Sequence, residues 1–441
     1  MERAKLIVKN FGPLKDIEIE VREMVTLIGA QASGKSTLAK LLSIFENENF
    51  RRDHNITFEE ELKKYNIFSY LKEDSFIKYH NANDLSNLPF GFTYSNKTLT
   101  KGNTLNIFET IKAFSKEKGA DKLKLINDIK KIINWDFDFL RYEISLLFKL
   151  NTIFNDTQKS TKFINYLTEI KAKHFDASKL LEILEKEESL ENYINLYDSI
   201  IKIFPDIYIN DSIYIPSERS FLHLIEGNTL GLIKNKIQIP EHILNIGLEY
   251  EKAIQTIKEL PLVIINKKIK YKREGKSSYI YHNETEKVDL LESASGLQSV
   301  IPILLLVEYS KSLKDKYNFN FVVEEPELNL YPKAQHELIK YLVKNCLFDR
   351  KNLILTTHSP FVLASINNLL LAYDKGQSKS KEVNKIIKKE SWLNPKNFIA
   401  YELKNGKAKL IMDDKLGQIK ENMIDSVSDS FADEFDKLLD L

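Results

Sequence analysis

The sequence predicts an α/β fold: a mainly parallel sheet, an antiparallel β unit at its N-terminus and a helical insertion. Three observations carry that expectation. An apolar strand at Val25–Ile28 runs through a loop bracketed by Gly29 and Gly34 into a helix from Lys35. Two further strands, Phe319–Val323 and "LILTT" at 353–357, are apolar without alternation, and each is followed by a helix. Such runs suit strands buried on both faces of a parallel sheet. Residues 4–21 instead alternate apolar and polar side chains around the turn Asn10-Phe11-Gly12-Pro13, which predicts a hairpin.

The remaining elements follow in chain order. Residues 57–100 are mixed, with strand-like pieces at "SFIKYH" and "GFTYSN". Residues 104–204 repeat apolar side chains at three- and four-residue spacing without a sustained heptad array, so a compact helical arm is expected there. "SIYIPSERSFLHLI" from Ser212 reads as a strand and a turn, and "LPLVIINKKIKYKREGKSSYIYHN" as a hairpin around Gly275. The helix "GLQSVIPILLLVEYSKSLKD" precedes the strand ending in two glutamates, and another helix starts at Pro332. The chain closes with the hairpin "FIAYELKNGKAKLIM" and an acidic helical tail. The expected division is 1–100 and 205–370 for the two halves of the core, 101–204 for the insertion and 371–441 for the C-terminal hairpin and tail.

Of the 441 residues 43% are hydrophobic and 29% charged, which suits a soluble protein with a sizeable core. The net charge of +1 gives no global attraction to nucleic acid or membrane, so any DNA contact would be a local patch. A lone cysteine, Cys346, excludes an intrachain disulfide framework and a cysteine-rich metal site, and reads as a core thiol. The start "MERAKLIVKN" lacks a charged-then-apolar leader, and the longest apolar run, Val300–Tyr309, is too short to span a bilayer. A cytoplasmic protein is expected.

The loop Gly29-Ala30-Gln31-Ala32-Ser33-Gly34-Lys35-Ser36 fits G-x-x-x-x-G-K-[ST] in full, between a strand and a helix. Its glycines let successive N–H groups turn inward on phosphate oxygens, and the helix N-terminus adds its positive dipole end. Lys35 is expected to reach the β- and γ-phosphates of ATP, and the Ser36 hydroxyl to ligate Mg²⁺. Adjacent carboxylates at the end of a buried strand are costly unless neutralised. Mg²⁺–ATP would neutralise Glu324, which would hold the metal through a water, and Glu325, which would orient and polarise the attacking water. "ESASGLQS", from Glu292 to Ser299, opens a helix with small hydroxyl residues and a glycine, either as an ordinary cap or as a phosphate grip that includes Ser293. His358 ends the next buried strand, which in a parallel sheet of this kind abuts the γ-phosphate. Glu218 and Arg219 read either as a strand-end salt bridge or as groups near the nucleotide or a dimer seam. Lys268, Lys270 and Lys272 share one face of a strand, either a solvated hairpin face or a DNA-backbone patch.

These elements, in this order, resemble the ABC-type ATPase heads of the SMC, RecF and OLD (overcoming lysogenization defect) group of the AAA family. "NFGPLKDIEIEV" is similar to that group's N-terminal hairpin and "GAQASGKS" to its Walker A loop. "SASGLQS" resembles its signature, "FVVEEPELNLYP" its Walker B with D-loop, and "TTHSP" its switch histidine. "YIPSERS", "SGLQS" and "EEPELNLYP" resemble stand-alone ATPases of bacterial anti-phage systems of the Septu, PARIS and retron-associated kind. The resemblance covers about residues 1–100 and 205–370. It implies that Gly29, Gly34, Lys35, Ser36 and Thr37 bind phosphate and Mg²⁺, that Glu325 is the catalytic base and that His358 senses the γ-phosphate. It also implies that Ser295 and Gly296 contact the γ-phosphate of an opposite subunit, and hence a homodimer or larger homo-oligomer sandwiching ATP. Three features depart from the group. Glu324 stands where most such heads carry Asp, the signature is not the usual leucine-serine-glycine-glycine form, and no glutamine follows the loop helix at the usual place.

The function this implies is a nucleotide-driven dimeric switch that hydrolyses ATP and controls a separately encoded effector, a nuclease or toxin, in anti-phage defence. No nuclease is expected on this chain. The alternatives are an ATP-holding scaffold with negligible turnover and a RecF- or SMC-like DNA-repair ATPase.

Overall fold

The computed structural model describes residues 4–47, 50, 56–80, 91–101, 209–225, 239–313, 317–347, 352–413 and 415–440. Apart from Lys101, the insertion expected at 101–204 lies outside these residues. The N-terminal unit is β1 (Ala4–Phe11) and β2 (Leu14–Val21), paired antiparallel from Ala4↔Val21 to Phe11↔Leu14. It extends through β4 (Phe76–His80), β5 (Gly91–Ser95) and β6 (Thr98–Lys101), each antiparallel to its neighbour. Alternation places Leu6, Val8, Ile17 and Ile19 inward, as the sequence pattern requires.

The parallel half contains β3 (Met24–Gly29), β7 (Ile209–Ile215), β12 (Tyr317–Glu324) and β13 (Leu353–Thr357). Every residue of β3 and β13 is buried, in line with their unbroken apolar runs. The registers are tight: Thr357 pairs with Ile28, and Glu324 with Thr356. Three strands therefore finish within two residues of one another, and their carboxyl ends share one rim of the sheet. Helix α1 (Lys35–Glu46) packs against β3, β7, β12 and β13. Helix α2 (Phe58–Lys64) carries a capping box between Thr57 and Glu60 and seats Phe58 against Phe45, with ring centroids 5.7 Å apart.

The C-terminal hairpin, expected among residues 371–441, is part of this same sheet. Its strands β14 (Phe398–Lys404) and β15 (Lys407–Leu410) lie between β2 and β3, with β14 parallel to β3 from Phe398↔Met24 to Leu403↔Gly29. The hairpin thus joins the antiparallel half to the parallel half, giving the order β6-β5-β4-β1-β2-β15-β14-β3-β13-β12-β7 among the described residues. A separate sheet, β11-β10-β9-β8, contains the hairpin read around Gly275, formed by β9 (Lys270–Glu274) and β10 (Ser277–Tyr281). Its strand β8 is Glu259–Pro261 and its strand β11 is Lys287–Asp289. Lys268 lies in the turn before β9 and is not part of the expected strand face. Lys270 pairs with Glu259 at 2.8 Å and Lys272 with Glu274 at 3.5 Å, so those two lie on a hairpin face laced with carboxylates.

Helices α3 (Glu241–Thr256), α4 (Ser295–Ser312), α5 (Pro332–Cys346) and α6 (Pro360–Gly376) complete the core, with Cys346 fully buried in α5 as read, and the short helix α7 (Ser380–Ile386) follows. Pro302 lies inside α4 and has no N–H to offer the carbonyl of Gln298, four residues earlier. His223 Nε2 lies 2.8 Å from that carbonyl, and Tyr250 Oη lies 2.8 Å from His223 Nδ1. Because a carbonyl only accepts, Nε2 carries the proton and Nδ1 accepts from Tyr250. The ring is buried and neutral, and burial pulls its pKa down to about 4. In the unfolded chain it takes up a proton near pH 6.5. Its contribution to stability is therefore complete above pH 6.5 and is lost as pH falls from 6.5 towards 4. Between pH 7 and pH 4 the wild type should lose about 3 kcal/mol relative to His223→Gln, read as urea midpoints at each pH. Parallel pH curves for the two proteins would contradict this.

Candidate functional site

The loop between β3 and α1 is shaped by two glycines in the positive-φ region. Gly29 has φ 156° and Gly34 has φ 99°. A Cβ at Gly29 would lie 2.5 Å from Ser33 Oγ, and one at Gly34 would lie 2.5 Å from Leu14. No side chain caps α1, so the N–H groups of its first turn are left for a ligand. Ala30, Gln31 and Ala32 are exposed, Ser33 is half-buried with its hydroxyl unpartnered, Ser36 is exposed, and Lys35 and Thr37 are buried. The Lys35 ammonium donates to the carbonyls of Gly29 at 2.8 Å and Ala30 at 3.0 Å. Burial lowers its pKa, against the opposing pull of Glu325, Glu324 and Glu327.

Three glutamates gather at the end of β12. Glu324 is buried, and its Oε1 has no hydrogen-bond partner. Burial pushes its pKa up, opposed by the Ser36 hydroxyl and the Lys40 ammonium nearby. Glu325 is half-exposed and sits at φ 42°, a conformation that costs a non-glycine residue about 1–3 kcal/mol. Its N–H donates to Thr356 O at 2.9 Å, which fixes the turn, and its Oε1 lies 3.4 Å from His358 Nε2. Burial and the nearby Lys35 ammonium lower the pKa of His358. Lys35, Glu324, Glu325 and His358 therefore stand together. Oxygen donors of this kind suit a small divalent cation: an orphaned buried carboxylate oxygen on Glu324 beside the Ser36 hydroxyl is a partial shell that phosphate and water oxygens would complete.

Two residues do more here than the sequence pattern assigns to them, Glu327 and Arg219. The Glu327 carboxylate accepts from Thr357 Oγ1 at 2.7 Å and from the His358 N–H at 2.8 Å, so it fixes the backbone that carries the histidine. Its Oε2 is buried without a partner, and burial raises its pKa. A third carboxylate two residues after Glu325 was the available signal. Of the two places expected for Arg219, it takes the one near the candidate nucleotide site, on the glutamate turn, and not a strand-end salt bridge. Fully buried, it donates to four backbone carbonyls: Ser299 at 2.8 Å, Pro216 at 3.2 Å, Glu324 at 2.7 Å and Glu325 at 2.7 Å. Desolvation lowers its pKa to about 10, with Glu327, Glu325 and Glu324 the main opposing charges. It thereby ties the start of α4 to the end of β12.

Ser293, Ser295 and Gly296 form the turn that opens α4. Gln298 Nε2 closes it by donating to Leu291 O and Ser293 O. Ser295 is exposed, and a Cβ at Gly296 would lie 2.6 Å from Asn329 O, so the turn packs directly on the segment after the glutamates. Exposed apolar side chains flank these groups, with Tyr331 at 77%, Phe361 next after Pro360 and Leu291 just before Ser293.

A parallel sheet whose strand ends carry a G-x-x-x-x-G-K-S loop and facing glutamates defines an α/β P-loop ATPase. The chain matches the AAA ATPase domain family over residues 1–363 and belongs to that family. No curated protein matches it. Among solved structures it is similar to an Smc head domain with an extended coiled coil, bound to the C-terminal domain of ScpA, derived from Pyrococcus furiosus. That likeness has 13% identity, covers 93% of this chain and 96% of that chain, and has a TM-score of 0.36. It is similar also to an Smc head domain with a coiled coil and joint from Pyrococcus yayanosii, with 12% identity, 95% and 98% coverage and a TM-score of 0.37. A third is the recombination mediator protein RecF, with 14% identity, 93% and 99% coverage and a TM-score of 0.32.

Glu327→Ala leaves two buried donors without an acceptor and should lower stability by about 2–4 kcal/mol. Glu327→Gln keeps an accepting oxygen for both and should cost under about 1 kcal/mol. Chemical denaturation of the two variants checks this, and equal losses would contradict the role given to the carboxylate.

Proposed function

We propose that this ATPase works as a nucleotide-driven dimeric switch. The observation that carries the reading is the convergence of Glu324, Glu325 and His358 on Lys35 at the rim where the phosphate loop opens. Loop N–H groups and Lys35 would bind the β- and γ-phosphates of ATP, the ammonium leaving the loop carbonyls it now holds. Glu325 would accept a hydrogen bond from the attacking water and orient it, its position set by the strained turn and by Arg219 on its carbonyl. His358, held at its N–H by Glu327, would stand against the γ-phosphate and report its presence to α6. Mg²⁺, held by Ser36 and Glu324, would supply charge neutralisation between the phosphates. Without a bound cation these groups pay the cost of burial, which is reason for the site to favour loaded nucleotide.

The turn at Ser295 and Gly296, with Ser295 exposed and with exposed Leu291 and Tyr331 close to it in sequence or next to the segment it packs on, supports a second copy closing over the nucleotide. Arg219 and Asn329 connect that turn to Glu325 within one chain, so closure by a partner would be felt at the water-orienting group. The resemblance of "YIPSERS", "SGLQS" and "EEPELNLYP" supports control of a separate effector in anti-phage defence as the purpose of the switch. A scaffold that holds ATP without turnover is the second reading. Glu324 favours it, because one methylene more than Asp moves the carboxylate relative to the metal.

ATP turnover and mass in ATP, measured on the wild type and on Glu325→Gln, separate the two. The switch reading expects turnover in the wild type, a loss of at least about 100-fold in the variant and an ATP-trapped dimer or larger assembly of the variant. Equal assembly of both proteins without turnover in either would overturn it in favour of the scaffold.

A further inference from the structure

The C-terminal helix α8 (Met423–Leu439) buries none of its residues in the described structure. Its N-terminus is nonetheless firmly placed. Asn422 and Asp425 form a capping box, the Met423 N–H donates to Glu402 Oε2 at 2.8 Å, and Met423 and Ile424 pack on the core. Beyond that first turn, Val427, Phe431, Phe435 and Leu438 recur at intervals of four, four and three, one stripe of a helix. Phe431 is 65% exposed and Phe435 61%. Asp429, Asp433 and Asp436 lie on the opposite face, and residues 423–440 carry six carboxylates against the single cation Lys437. Two phenylalanines exposed on an ordered, capped helix, with no packing partner among the described residues, are an interaction surface.

The charge decides what covers it. An amphipathic helix that lies on a lipid surface needs a basic polar face, and this one is acidic. A second copy of the helix would bring an equal negative charge against it. We propose that α8 is a docking helix for a different protein, one presenting an apolar groove rimmed by Lys and Arg. Phe431 and Phe435 are its anchors, and its carboxylates steer the encounter. This deepens the partner-control reading above by naming where the partner binds, and it rests on that reading only for the partner's existence.

The test uses the full chain with a photo-crosslinking phenylalanine analogue in place of Phe431, expressed in its own cells. A single discrete adduct with another protein is expected. That protein, purified, should bind wild type with an affinity that falls as salt rises, and should bind Phe431→Asp/Phe435→Asp at least about 100-fold more weakly. ATP turnover of the double variant should equal that of the wild type. Its mass in solution should also be unchanged. An adduct with a second copy of this chain, with another segment of the same chain or with lipid would overturn the proposal, as would no adduct at all. A partner with no basic groove, or one that binds the double variant equally, would overturn it too. If Glu325→Gln fails to alter turnover while the adduct forms, the docking helix stands and the switch reading falls. If turnover behaves as expected and the adduct is missing, the docking helix alone falls.

Discussion

Negative charge buried at the end of one parallel strand is the constraint around which the rest of the molecule is arranged. Glu324 and Glu327 each keep a buried carboxylate oxygen without a partner, and burial holds both above their usual titration range. Two buried cations in the same region do not discharge this cost. Arg219 spends its N–H groups on backbone carbonyls and Lys35 on its own loop. Arginine suits that place because a planar fork reaches several carbonyls at once and stays charged at a pKa of about 10, where a buried lysine would shed its proton more readily. The fold thus stabilises the backbone around the carboxylates and leaves one oxygen of each, Glu324 Oε1 and Glu327 Oε2, without a partner.

The sheet explains why these groups meet. Parallel strands end at one rim, and the registers of β3, β13 and β12 bring Leu27, Thr356 and Glu324 to the same level, one residue before Ile28 and Thr357. The C-terminal hairpin completes the arrangement from the other side, since Leu403 O presses on Gly29 where a Cβ would lie 2.6 Å away. Residues almost four hundred positions apart therefore shape one loop. The helical turn at Ser295 is tied to the same rim by Arg219 and by the packing of Gly296 on Asn329. A displacement of either the turn or the glutamates would be transmitted to the other through short, buried hydrogen bonds.

Much of this was legible in the sequence because its signals are local. The loop spacing, the unbroken apolar strands and the alternation of β1 and β2 each declare themselves within ten residues. Glu324, Glu325 and His358 were legible because charge at the end of an apolar run is costly wherever it occurs. Arg219 was half-legible at best, since its partners are carbonyls, and every residue has one. Glu327 was visible as a carboxylate but not as an acceptor for a loop thirty residues on. The insertion of the hairpin between β2 and β3 could not be read, because strand pairing at such separation leaves no local mark. In α8 the four-residue spacing of Phe431 and Phe435 is in the sequence, but spacing alone does not tell an exposed apolar stripe from a buried one.

The thermal midpoint of the protein in ATP with Mg²⁺, compared with ATP and a chelator, tests the reading of the buried carboxylates most directly. If they are built to hold a cation with the nucleotide, Mg²⁺ adds several degrees beyond ATP alone in the wild type and adds little in Glu324→Gln. If Mg²⁺ adds nothing to the wild type, or adds as much to Glu324→Gln, the carboxylate at the end of β12 does not hold the metal, and its burial needs a different explanation.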